Sequence, residues 1–246
     1  MRWLFNTLMQ LLSAVVMYLI GTVFFGIALI PGIVLSFKTW ACVQNMPGAV
    51  KYLLLGLSMA GGYFLFGLTL VLLAGGVRAA LFLRLKEGDY SIFDLEAYKW
   101  AFVSALYLLV NYTFIDFILL TPFANLFLRL LGVKLGKNVQ INSKFIYDAT
   151  LLEIGDNTVI GGGAIIIGHI VERGVLKLRK VKIGKSVTIG SHSTIMPGCE
   201  IGDHAIIGAS AVLLKGTKVE PRDIYYGVPA RSLREKHREA KENGQA

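Results

Sequence analysis

From residue 183 onward an aliphatic side chain falls on every sixth position: Ile183, Ile189, Ile195, Ile201, Ile207, Leu213 and Val219. Gly184, Gly190, Gly202 and Gly208 each follow one of them directly. The same beat runs earlier at Ile154, Ile160 and Ile166, with Gly155 and Gly161 behind the first two. A period of six fits neither an amphipathic helix nor a two-faced strand. It fits a parallel β-helix in which each hexapeptide is one short strand plus a turn. Aliphatics then line the inside of a prism, and small residues sit where the backbone turns tightly. Three hexapeptides close one triangular coil, so Ile183, Ile201 and Val219 should stack. Residues 132–228 are expected to make about five such coils. The beat begins near Leu135 and Ile141, slips by one residue between Tyr147 and Glu153, and breaks between Ile166 and Ile183. The break predicts a loop thrown out from one corner, containing His169, Glu172, Arg173, Lys177, Arg179, Lys180 and Lys182. A solenoid tolerates such an insertion because each coil touches only its neighbours. A long loop in so regular an array is usually functional.

The first half has a different pattern. Residues 9–37 and 52–77 carry no charge, and residues 100–131 carry only Asp116 and Arg129. Each run is long enough to span a bilayer. The first is too long for a removable signal peptide and lacks its small-residue cleavage site. Residues 1–131 therefore read as an α-helical transmembrane and juxtamembrane part. Residues 132–228 follow as the β-helix, and 229–246 as a polar tail. The charges of Arg234, Glu235, Lys236, Arg238, Glu239 and Lys241 suggest a solvated helix in that tail.

Residues 78–99 carry Arg78, Arg84, Lys86 and Lys99, and the segment after 128 carries Arg129, Lys134 and Lys137. The positive-inside rule puts both on the cytoplasmic side of an integral membrane protein of the plasma or inner membrane. That requires residues 100–131 to form a hairpin or lie along the interface instead of crossing once. Pro122 and the polar run Asn111-Tyr112-Thr113 allow a break there. Asp116, costly in lipid, should face protein or water.

Composition adjusts this picture in three ways. The mean hydropathy of +0.60 is high for a soluble chain, and its excess lies in the first half. The net charge is +9, and residues 132–246 hold 17 Lys/Arg against 11 Asp/Glu. Such a surface suits an anionic leaflet or a phosphate-bearing donor. Nucleic acid is not expected as a partner, because no recognition motif accompanies the charge. Cys42 and Cys199 lie far apart with no metal or redox spacing, and read as free thiols.

Several stretches carry a family resemblance. Gly168-His169-Ile170-Val171-Glu172-Arg173 precedes a re-entering Val181-Lys182-Ile183-Gly184. Met196-Pro197-Gly198-Cys199-Glu200-Ile201-Gly202-Asp203 and the closing Gly227-Val228-Pro229-Ala230-Arg231 follow. The segment resembles the left-handed β-helix of hexapeptide-repeat acyltransferases, whose soluble members place a catalytic histidine just before such a loop. A narrower resemblance rests on Thr121-Pro122, Leu128-Arg129-Leu130-Leu131-Gly132-Val133-Lys134-Leu135-Gly136 and Glu172-Arg173-Gly174-Val175-Leu176-Lys177-Leu178. These look like the membrane-bound C-terminal units of poly-lysine-synthetase-type nonribosomal peptide synthetases. No adenylation or carrier domain is present in this sequence.

The first resemblance implies transfer of an acetyl or other short acyl group from a thioester to a hydroxyl or amine. It implies acetyl-CoA or another acyl thioester as cosubstrate, no bound cofactor, and a homotrimer with clefts between prisms. The second implies a carrier-protein thioester and amide formation. A non-catalytic trimeric membrane scaffold is the third reading. Acyl transfer needs a base for the acceptor's proton, and a near-neutral histidine suits that task. His169 is the candidate general base. Glu172 either orients its imidazole or pairs with Arg173. Lys215, Lys218, Arg222 and Arg231 are candidates to meet the phosphates of coenzyme A. His192 and His204 fall in the same hexapeptide slot on different faces and read as surface residues. No histidine spacing supports a metal site of the γ-carbonic-anhydrase kind, which shares the fold.

Overall fold

A computed structural model describes residues 2–235 and 238. The helix expected from the charges of the tail falls at Lys236, Glu239 and Lys241 outside these residues; Leu233–Glu235 are helical. Five α-helices precede the β-helix: α1 (Arg2–Cys42), α2 (Gly48–Ala80), α3 (Leu95–Asn111), α4 (Ile115–Ile118) and α5 (Pro122–Leu131). Only α1, over Leu11–Cys42, and α2 are long and apolar enough to cross a membrane among the described residues. They pack closely where Gly32 meets Gly62, since a Cβ on Gly32 would lie 2.9 Å from the Gly62 carbonyl oxygen. Small residues at such crossings let two apolar helices approach backbone to backbone. Elsewhere α1 and α2 leave large apolar side chains uncovered, among them Leu19, Phe37, Leu53 and Met59.

Residues 100–131 do not form one long helix. The helix breaks after Asn111, at the polar run, and the whole segment lies against the first coil of the prism. Trp100 Nε1 donates to Asp148, and the Tyr107 hydroxyl donates to the Lys144 carbonyl. Further on, Leu120 N donates to the Ile141 carbonyl, and Asn125 Nδ2 to that of Val139. Asp116 pairs with Lys144 at 2.8 Å and is half exposed. Helix α5 is delimited by its own sequence: Thr121 caps its N-terminus through Phe123 N, Pro122 fills the first turn, and Gly132 ends it at φ 104°. Arg129 then donates to the carbonyls of Leu135 and Gly136, fastening α5 to the first strand.

From Lys134 the chain winds into three sheets of five, six and four strands, all parallel except for Arg231–Ser232, the antiparallel edge strand of the six-stranded sheet. Leu135, Ile154, Ile183, Ile201 and Val219 form one inner ladder. Ile141, Ile160, Ile189 and Ile207 form the second, and Ile146, Ile166, Ile195 and Leu213 the third. All thirteen of these aliphatics are buried, and their core runs without interruption into Leu128, Phe127 and Leu70 of the helices. Cys199 sits in this core as a free thiol, pushed up to about 11 by burial, whereas the free thiol of Cys42 is exposed.

The glycines after the inner aliphatics serve a purpose other than the one the repeat suggests. A Cβ on Gly190 would come 2.4 Å from Ala209 N, and one on Gly202 2.6 Å from Pro221 N. They are needed because successive coils stack there. The left-handed corner conformation is taken two residues later by Asn138, Asn157, Ser186, His192, His204 and Ser210, and by Arg222 in the coil where Glu220 stands in place of the glycine. Asn and His are among the residues that tolerate it. His192 and His204 are thus exposed corner residues.

The three outer faces differ. The five-stranded face alternates in charge through Lys134, Glu153, Lys182, Glu200 and Lys218, with ion pairs at 2.7 Å and 2.9 Å. The six-stranded face presents Val159, Thr188, Ile206 and Ile224 in register. The four-stranded face presents Phe145, Ile165, Thr194 and Val212.

Candidate active site

The break in the repeat is a β-hairpin, not an open loop. His169–Glu172 pairs antiparallel with Val175–Leu178. Arg173 and Gly174 both have positive φ, 52° and 77°, as a two-residue hairpin turn of the primed kind requires. A third strand, Gly88–Ser91, joins from the segment after α2 and pairs with Val175–Leu178. Arg179 reinforces the junction through the Gly88 carbonyl and Asp89, and Lys180 through Glu87. The charges of the inserted loop are therefore largely paired within the chain. The junction also holds residues 85–91 on the same side as the prism.

Strand alternation gives this small sheet two faces. Leu176 and Leu178 are buried with Leu85, Ala97 and Leu151, and Trp100 packs against them. His169 shares that face. Its ring lies 4.8 Å from that of Trp100, tilted by 56°. Its Nδ1 is 2.6 Å from Asp148 Oδ2.

Asp148 is almost completely buried, with its side chain 1% exposed, whereas that of His169 is 27% exposed. The Asp148 carboxylate accepts from Gly168 N at 2.8 Å and from Trp100 Nε1 at 2.8 Å. Acting as acceptor toward both, it takes the Nδ1 proton as a third bond. This assigns the tautomer: Nδ1 carries hydrogen, and the Nε2 lone pair is left for another molecule. Nε2 has no hydrogen bond among the described residues. A carboxylate that orients an imidazole and stabilises the imidazolium is the arrangement of a general base.

Asp148 was not singled out by the repeat reading, though a signal was present. The slip between Tyr147 and Glu153 is the loop that carries it, in left-handed conformation at φ 59°, ahead of the short 3₁₀ turn Ala149–Leu151. The slip and the break lie at the same corner, one coil apart. Two irregularities stacked on one corner mark the site.

Glu172 lies on the opposite face of the hairpin and does not touch His169. It pairs with Lys177 at 2.9 Å and Lys215 at 2.5 Å, not with Arg173. These two lysines hold its carboxyl down to about 2. A groove of about 550 Å³ runs along this second face, lined by Ile170, Arg179, Lys182, Lys215 and Lys218. Lys215 and Lys218 thus come together, but across the hairpin from the imidazole. Arg222 sits at a corner near the C-terminal end of the prism, and Arg231 on the last strand. A larger groove, about 920 Å³, follows the charged five-stranded face and does not reach His169.

Residues 180–215 match the family described as bacterial transferase hexapeptide (six repeats). The matched residues lie within the β-helix. The chain is 25% identical over 150 residues to the delta-poly-L-ornithine synthetase of Acinetobacter baumannii, covering 61% of this chain and 10% of that protein. That stretch is longer than everything from Gly132 onward, so the similarity extends into the helical half. Over 115 residues the chain is 35% identical to the galactoside O-acetyltransferase of Escherichia coli K12, covering 42% of this chain and 54% of that one. It thus spans about half of the acetyltransferase and a tenth of the synthetase. A solved maltose O-acetyltransferase from Clostridium difficile 630 superposes with a TM-score of 0.47 at 23% identity, over 61% of this chain and 92% of that one.

Proposed function

We propose that this protein is a membrane-anchored acyltransferase. It moves an acetyl or other short acyl group from a thioester, acetyl-CoA in the simplest case, to a hydroxyl or amine. The observation that carries this reading is the Asp148–His169 pair at 2.6 Å with Nε2 unengaged. In the reaction, Nε2 removes the acceptor's proton as its oxygen or nitrogen attacks the thioester carbonyl. Asp148 stabilises the imidazolium that forms. Collapse of the tetrahedral intermediate expels the thiolate, which takes the proton back. Trp100 positions the ring. The basic groove beside Lys215 and Lys218 supplies positive charge for the donor's phosphates, reached around the hairpin edge. Purified protein incubated with acetyl-CoA and candidate acceptors should release free thiol, and His169→Ala should not. Equal release by that variant sinks the reading.

A second reading has its own support. Similarity to the poly-ornithine synthetase takes in the helical half as well as the prism. This favours an aminoacyl thioester on a carrier as donor and an amine as acceptor, with the same base. Carrier-bound and coenzyme A-bound donors, offered separately, distinguish the two.

Membrane anchoring is supported by the uncovered apolar surface of α1 and α2, since so much exposed hydrocarbon is not sustained in water. A cytoplasmic β-helix is supported by Arg78, Arg84, Lys86 and Lys99 on its side of the membrane, and fits a cytoplasmic thioester donor. A homotrimer is supported by the contrast between outer faces: two apolar ladders and one charged. A three-fold ring uses two different faces of each prism and leaves the third to water. Mass measurement in detergent tests this, and a monomer alone would remove it.

A further inference from the structure

Arg78 stands in the last turn of α2, at the point where the helices meet the prism. Its guanidinium lies over Gly132, where an added Cβ would come 2.2 Å from Nη2, and beside the Thr150 methyl. It makes no hydrogen bond or ion pair among the described residues, and its Nε is buried without a partner. The charged group that acts on it is another cation, Arg84. Arg84 is exposed and likewise has no acidic partner among the described residues. The nearby carboxylates of Glu87 and Asp89 are engaged by Lys180 and Arg179. A cation in a helix's last turn suits the helix dipole, but this accounts neither for the second arginine nor for the orphaned Nε.

The turn between the two arginines is apolar and open. Leu81 is 58% exposed and Phe82 84%. Phe82 holds a left-handed backbone at φ 50°. Apolar side chains beside unpaired cations at the end of a spanning helix match the layering of a membrane surface, with hydrocarbon below and phosphate above. A guanidinium with free N–H groups binds phosphate oxygens in pairs.

We propose that Arg78 and Arg84 bind the phosphate of an anionic membrane lipid, with Leu81 and Phe82 seated among its acyl chains. The proposal rests on the membrane reading of α2, so the test begins by washing membranes at alkaline pH. Release of the full-length chain by that wash would overturn the anchoring reading and this site with it. For retained protein, purified in detergent, native mass spectrometry measures binding of palmitoyl-oleoyl phosphatidylglycerol, of the matched diacylglycerol, and competition by inorganic phosphate. Arg84→Gln should weaken phosphatidylglycerol binding about fivefold, and Arg78→Gln with Arg84→Gln about thirtyfold. Lys185→Gln, on the charged prism face, should bind as wild type. Diacylglycerol should bind far more weakly, and equimolar inorganic phosphate should not displace the lipid. Equal binding of diacylglycerol, or unchanged binding by the double variant, overturns the site. Displacement by equimolar phosphate overturns the lipid as its ligand. If Arg78→Gln does not fold, the exposed Arg84→Gln decides alone: no weakening overturns the proposal.

Discussion

Inside the prism a residue's surroundings follow from its place in the hexapeptide. In the hairpin that leaves the prism they follow from segments as far away as Gly88, whose carbonyl accepts from Arg179. Ile201 is buried because its slot points inward and a like residue stacks above and below it. His169 is oriented because Asp148 and Trp100 come from two other parts of the chain to meet it. The regular region concentrates apolar burial, while the irregular one concentrates paired polar groups. The difference teaches that a solenoid can separate stability from chemistry: the candidate site is built where the repeat fails.

The sharpest test of that separation is His169→Ala, expected to lower acyl transfer by about 10²–10⁴-fold. Its thermal midpoint should fall only modestly, because the side chain is partly exposed and leaves no core cavity, and the buried Asp148 carboxylate keeps its bonds from Gly168 and Trp100. A large fall in midpoint would erase the contrast. Asp148→Asn should cost on the order of 10²-fold in transfer, since an amide no longer holds the Nδ1–H tautomer. Activity near wild type would remove Asp148 from the mechanism.

The mirror experiment is Ile201→Ala. It should cost about 2–5 kcal/mol of stability by opening a core cavity, measured by denaturant unfolding, with transfer per folded molecule unchanged. Ile206→Glu, on the outer apolar ladder, should convert the proposed trimer to monomer in detergent without unfolding the coil. A persistent trimer would move the interface to another face.

The smallest effect concerns the hairpin's outer face. The Glu172 carboxyl is lowered to about 2 by Lys215 and Lys177, below its ordinary value. A depressed carboxyl stabilises above its unfolded value and loses that contribution as pH falls toward the folded one. Hydrogen-exchange protection of the hairpin should therefore hold at pH 5 and decline as pH falls through the range below about 4. A decline already present between pH 7 and pH 5 would point to another group.

Much of the prism was legible because a period of six admits one regular solution and its aliphatics carry the inward direction of every strand. The slip and the break were legible too, as failures of that period. Their meaning was not. Nothing local to Tyr147–Glu153 says that Asp148 faces the imidazole, and nothing local to Glu172 says that it turns to Lys215 instead. The hairpin itself left a signal that the broken period obscured: Arg173-Gly174 between alternating apolar residues. The strand Gly88–Ser91 left almost none, since it exists only by pairing with Val175–Leu178.

By itself, then, the sequence determined the long apolar helices, the stacking of coils and the corner at which the chain leaves them, where His169 stands as the candidate base. These depend on short-range pattern, where hydrophobic burial repeats with fixed spacing. Only the tertiary structure decided which carboxylate meets the histidine, which ring lies against it, and that residues 100–131 lie across the base of the prism. Those outcomes depend on single long-range contacts, and one hydrogen bond between distant segments leaves no period in the chain for a reader to find.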